Sequence, residues 1–174
     1  HTAYRRQRQM CIRDRSGENE VEVEEAYVRT RELGGGVNGK AGRFLSGIGY
    51  LNGLHSHTWD FADAPLAYQA FFGGQYKLDG VQARWLAPLN TFLELGLELG
   101  NGHAFPGNDR NKNGVGATGV FAHVGDDISD SSSWRAGLSY LRTRAADRAW
   151  EDEGVVNAFS GRSTVWVAVS YTHL

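Results

Sequence analysis

The sequence predicts an all-β fold: an antiparallel up-and-down meander of about seven strands, forming an open arc of a larger transmembrane β-barrel. Three observations carry this. Leu93, Leu95, Leu97 and Leu99 alternate without interruption with Phe92, Glu94, Gly96 and Glu98, the two-residue period of an extended strand. Short turns at 33–39, 88–90 and 126–132 alternate with long loops at 51–72, 101–113 and 144–161. All short turns then fall at one end of the sheet and all long loops at the other, as in outer-membrane barrels. Finally, glycine is abundant (23) and proline scarce (3), with 5 Trp, 7 Tyr and 8 Phe, a mixture that suits strands and turns.

The ends are set apart. QMCIRDR at 9–15 and VSYTHL at 169–174 resemble translated sequencing-adapter read-through, so residues 1–16 and 169–174 are read as non-native and 17–168 as a partial barrel domain. Within 174 residues, no apolar run approaches the roughly 18 residues of a membrane helix. A negative mean hydropathy is compatible with a membrane barrel, because only alternate residues face lipid. The net charge of −2 argues against a nucleic-acid partner bound by phosphate neutralisation. Cys11 is the single cysteine and lies in the N-terminal end segment, so 17–168 holds none, and that absence fits passage through an oxidising periplasm.

Taken in order, residues 21–31 make a first strand whose apolar phase slips from Val21 and Val23 to Ala26 and Val28, predicting a bulge near Glu24 and Glu25. The glycine-rich 33–39 is a turn, and a second strand runs over about 40–50 with Phe44, Ile48 and Tyr50 in one phase. A polar-aromatic loop spans 51–72. Asp79-Gly80 is a hairpin signal on its own. The alternation of loop lengths places it instead as a bulge within one strand over 74–87. A turn at 88–90 then pairs Trp85 with Leu93, Ala83 with Leu95 and Val81 with Leu97, and sets Arg84 beside Glu94 on the other face. Beyond it, Val124, Ala122 and Val120 meet Trp134, Ala136 and Leu138, with His123 near Arg135 inside. Trp85, Trp134 and Tyr140 read as interfacial aromatics. The last strand, 162–168, is read with Val165 and Val167 outward.

NGLHSHTWDFADAPLAYQAFFGGQYKLDGVQARWLAP, followed by LELGLELGNGHAFPG, resembles Gram-negative porin-like outer-membrane proteins of the phosphate-selective porin superfamily. The His-rich loop is similar to that of relatives described as zinc-regulated. The resemblance covers about 20–142. It implies location in the bacterial outer membrane, contact with its lipid, passage of small solutes and a homotrimer as in porins. The lysine-rich constriction of a phosphate-selective pore is absent, since 17–168 holds only Lys40, Lys77 and Lys112.

Arg29, Arg43, Arg84 and Arg135 are expected on the interior face; with Glu94, Glu98 and His123 they form a candidate pore lining. On that reading Arg84→Ala changes ion selectivity more than stability. His55, His57, Asp60 and Asp63, with His103 in the next long loop, are the candidate metal ligands. Imidazole plus carboxylate suits zinc, although the spacing follows no closed zinc-site pattern. No other cofactor is implied. There is no nucleophile elbow, P-loop or dinucleotide fingerprint, so an enzyme is not expected. The leading expectation is a channel for diffusion of small hydrophilic solutes or ions. A zinc-handling outer-membrane barrel and a soluble all-β binding module are the alternatives.

Overall fold

The computed structural model describes residues 7–14, 21–31, 33–59, 62–107, 114–152 and 154–173. Eight strands form one antiparallel sheet in sequence order: β1 (Gln7–Asp14), β2 (Val21–Arg29), β3 (Val37–Leu45), β4 (Lys77–Leu86), β5 (Phe92–Gly100), β6 (Ala117–Ser129), β7 (Ser132–Asp152) and β8 (Val155–His173). No ladder joins β1 to β8 among the described residues, so the sheet is an open arc. The eighth strand is β1, inside the end segment set apart above, and β8 likewise runs into 169–173. An open sheet edge offers main-chain partners to any extended segment, whatever its side chains.

Strands β3, β4, β5 and β6 contain 9, 10, 9 and 13 residues. Transmembrane β-strands need about 9–11. The ladder skips Glu24, passing from Glu25 opposite Cys11 to Val23 opposite Ile12, where the slip in apolar phase placed a bulge. Asp79 and Gly80 lie inside β4, opposite Arg43 and Gly42, and the register there is continuous with no bulge. Both short hairpins pair two residues away from the expected register: Trp85 faces Leu95, and Val124 faces Ala136. A two-residue shift keeps every side chain on its face, so the facing survives.

Two expectations on connections fail. The expected loop at 144–161 is instead a continuation of β7 to Asp152 and of β8 from Val155, past a bulge at Ala145/Arg148. The segment after β3 does not continue as strand to residue 50; it leaves the sheet at Ser46 and folds across one face, here called the inner face. Ser46 reaches Glu98 on β5, a Cβ on Gly47 would touch Phe121 on β6, Gly49 bonds Ser139 on β7, and Tyr50 stacks on Tyr171 of β8. Four residue steps of about 3.3 Å cover roughly the 14 Å that separates strands three places apart, so the segment runs nearly square across them. Beyond it come two 3-10 turns (Leu51–Gly53, Ser56–Thr58) and α1 (Leu66–Phe72). Helix α1 starts after Pro65 and ends at left-handed Gly73, whose N–H and that of Gly74 close onto Gln69 and Tyr68. It buries Tyr68 and Phe72, four residues apart on one side.

This cover makes an apolar core on the inner face at the long-loop end: Phe44, Ile48, Tyr68, Phe72, Tyr76, Leu78, Ala117 and Leu141, with Val165 and Val167 against it. Val165 and Val167 therefore face inward, contrary to expectation, and Trp166 faces out at 65% exposure. Phe44 also turns inward, which puts its neighbour Arg43 on the outer face, paired to Asp79 at 2.7 Å. Toward the short turns, the inner face is built closely around Phe121, whose ring lies over Gly96; a Cβ there would come within 2.0 Å of it. Gly96→Val is expected to destabilise the sheet by about 1–3 kcal/mol, the usual cost of overpacking. Denaturant unfolding with an unchanged midpoint would show that Phe121 does not need the space.

Candidate functional site

The inner face is organised by Glu98, 1% exposed near the C-terminal end of β5. Its two side-chain oxygens accept from the Ser46 hydroxyl, the Gly47 N–H (2.7 Å) and the Gln82 amide. Asn52 continues the fastening: its amide donates to the carbonyls of Ser46 (2.8 Å) and Tyr76 (3.0 Å), and its oxygen accepts the Tyr76 N–H at 2.6 Å. Buried polar groups are tolerated when each finds a partner, and these do. Burial pushes the Tyr68 phenol up, against hydrogen bonding with the Leu51, Tyr50 and Asn52 backbone, and burial followed by the Glu98 charge pushes Tyr76 up further. Both hydroxyls stay protonated at neutral pH.

From Gln82 the network runs toward the short-turn end. Arg84 Nε donates to Gln82 Oε1 at 2.7 Å, and Arg84 Nη1 lies 3.3 Å from Glu94 Oε1. The other Glu94 oxygen meets His123 Nδ1 at 3.2 Å. Phe121 holds the pair flat, stacked on His123 at 4.9 Å with the Arg84 guanidinium 5.3 Å above its ring. Arg135 approaches from β7, its guanidinium 5.0 Å from the Phe92 ring and 5.8 Å from Tyr50.

Arg84, Glu94, His123 and Arg135 line one cavity of about 150 Å³, closed on one side by Gly47, Gly49, Tyr50 and Gly53 of the crossing segment. Four residues expected in the pore lining are thus brought together, with Arg135 the exposed cation among them. Arg29 is exposed on the inner face opposite Lys40, away from the cavity lining. Two assignments need correction. Arg43 lies on the outer face. Glu98 faces inward as expected but is sealed beneath the crossing segment, where it fastens that segment and lines no passage. Arg84 is also held by Gln82 and Glu94, whereas Arg135 rests on the Phe92 and Tyr50 rings.

Of the expected metal ligands that are described, only His55 and His57 lie together. His55 turns to β2, with Nε2 3.1 Å from Glu25 and Nδ1 3.9 Å from Glu24. His57 stacks on His55 at 5.5 Å, while Asp63 and His103 are exposed elsewhere. Asp60 lies outside the described residues. Among the described residues no three His, Cys, Asp or Glu side chains are grouped to hold a metal. The Glu24–Glu25 contact with His55 had no sequence signal beyond the predicted bulge, which turns both glutamates into the structure.

No family model matches the chain, and no solved structure matches it. A curated protein of Aquifex aeolicus (strain VF5), described as uncharacterized, is 33% identical over 162 residues; the match takes in 83% of this chain and 33% of that protein. The chain spans about a third of that relative's length.

Glu98→Ala strands three donors that now share its oxygens, and is expected to cost at least about 2 kcal/mol. Release of the crossing segment is expected to speed limited proteolysis within 51–59 while the sheet keeps its far-ultraviolet signal. Unchanged cleavage would mean the segment is held by its apolar side chains alone. Arg84→Ala is expected to destabilise by about 1.5–3 kcal/mol through the same reasoning, a shift read by urea titration.

Proposed function

We propose that this chain, from β2 to β8, is an arc of a porin-like outer-membrane channel, closed by further strands, that passes small hydrophilic solutes or ions by diffusion. The observation that supports it is the inversion of polarity between the two faces. On the outer face Val81, Leu95, Leu97 and Leu138 are 52%, 40%, 45% and 52% exposed, with no second layer over them among the described residues. On the inner face Gln82, Glu98, Ser139 and Thr143 are buried. A water-soluble sheet turns its polar side to solvent, and uncovered apolar rows of this kind on soluble proteins are uncommon.

The apolar rows are bounded. Ladder neighbours on the outer face form successive rows: Val81–Leu99–Thr118–Arg142, then Ala83–Leu97–Val120–Tyr140–Trp166, then Trp85–Leu95–Ala122–Leu138, then Leu93–Val124–Ala136. Toward the long loops the next position holds Arg43, Asp79, Asn101 and Arg144, and toward the short turns Asp126 and Trp134. Arg144 and Trp134 are ten residues apart on β7. That is about 33 Å along the strand, or about 25 Å of depth at a tilt of roughly 40°, the height of the apolar band on such barrels. The inward-folded segment narrows the passage, and the cavity with Arg135 lies beside it.

Leu97, near the middle of the band, separates lipid from water. Leu97→Arg is expected to cost about 2–4 kcal/mol when the complete barrel containing this arc is unfolded from lipid. A value within about 0.5 kcal/mol, ordinary for a wet surface, would end the membrane reading. In planar bilayers, Arg135→Ala is expected to lower the anion-to-cation permeability ratio. An unchanged ratio would take Arg135 out of the conduction path.

A further inference from the structure

At the long-loop edge of the apolar band and just beyond it, the outer face of the β7–β8 hairpin carries Arg142, Arg144 and Arg162. Arg144 sits directly opposite Arg162, and Arg142 is one side-chain position nearer the band, opposite Thr164. All three are exposed, and none is ion-paired with a carboxylate among the described residues. Asp147, further along the hairpin, is bonded to Ser160 at 2.7 Å. Like charges directly opposite in a ladder repel, so this arrangement costs free energy until an anion joins it. Elsewhere in the same polar row the arginine is already neutralised, Arg43 by Asp79 through two bonds of 2.7 and 2.9 Å.

We propose that Arg142, Arg144 and Arg162 form a binding site for the phosphate groups of a membrane glycolipid. Guanidinium forks match phosphate oxygens two at a time, and three of them present more donors than one phosphate group uses. The ligand must also carry acyl chains, because the site is continuous with apolar surface. Tyr140 and Trp166 form a ring pair at 4.8 Å, one side-chain position inward from Arg142 and Thr164. A lipid whose phosphates meet the arginines lays its chains down the face of Tyr140, Trp166 and Leu138. The long-loop end of such barrels faces outward, which selects the phosphorylated glycolipid of the outer leaflet. The inference rests on the membrane reading but not on any solute, since it concerns the face turned away from the lumen.

The test uses the complete barrel containing this arc, in detergent and in vesicles. The probes are a bis-phosphorylated, multiply acylated glucosamine lipid (lipid A), the same lipid with its phosphates removed, and inorganic phosphate. Wild type is expected to bind the phosphorylated form about tenfold or more tighter than the dephosphorylated one, with Arg144→Gln/Arg162→Gln losing that preference. The double variant is expected to be at least as heat-stable as wild type in plain detergent and less stable than wild type once lipid A is added, a reversal that misfolding cannot mimic. Equal binding of the two lipids, a preference retained by the double variant, or displacement of lipid A by inorganic phosphate at matching concentration would each overturn the site. A barrel that enters vesicles yet binds no lipid A overturns this inference and leaves the membrane reading standing. A protein that stays in water without detergent overturns both.

Discussion

The seating of Ser46 and Gly47 on Glu98 is the constraint on which the rest of the inner face depends. It takes the chain out of β3 and sends it across four neighbouring strands, and the residues that follow must bury their apolar side chains against whatever lies beneath. Phe44, Leu78 and Leu141 supply that surface. The sheet therefore has two interiors in sequence along its strands. Near the long loops the inner face is dry and packed as in a soluble protein. Near the short turns it carries an ion-paired network beside a cavity. A single carboxyl group with three donors marks the border between them.

What the sequence made legible follows from what alternation encodes. The period of Leu93 to Leu99 reports one face per strand, and it correctly separates Leu95 and Leu97 from Glu94 and Glu98. Register is less visible, because a slide of two residues leaves the pattern intact; Trp85 opposite Leu95 satisfies it as well as Trp85 opposite Leu93. The facing errors share one cause. Arg43, Val165 and Val167 are misplaced by a rule that turns every apolar side chain to the outer face, and at the long-loop end the crossing segment reverses that rule. Leu51, Tyr68 and Phe72 held the missing signal: a loop this rich in large apolar residues needs a surface to cover. The hairpin of β7 and β8 beyond residue 144 is hidden because polar alternation in a strand exposed on both faces resembles a loop.

Strand β7 shows both regimes in consecutive residues. Leu138 and Tyr140 face out, Ser139 faces in, and Leu141 also faces in, buried. Read alone, Leu138-Ser139-Tyr140-Leu141 breaks the alternation and weakens a strand assignment. With the crossing segment in place, the break marks the depth at which the inner face turns from wet to dry. The same change occurs on β4 between Leu78, buried in the core, and Arg84 in the cavity. Depth along the strand, as well as parity, decides which chemistry a position needs.

The cavity owes its existence to the shape of the segment that bounds it. Gly47, Gly49 and Gly53 face Arg84, Glu94 and His123 with no side chains, and Gly49 holds φ +65° where a Cβ would meet the Tyr68 hydroxyl at 2.0 Å. Larger residues there would press on the Arg84–Glu94–His123 network or push the segment off Ser139. Tyr50 then brings its ring to the mouth, against Tyr171 and within 5.8 Å of the Arg135 guanidinium. A cation resting on aromatic faces loses little of its outward field, whereas one locked to a carboxylate loses most of it. Two arginines on the same wall thereby acquire different work: Arg84 braces the wall, and Arg135 presents its charge to the cavity.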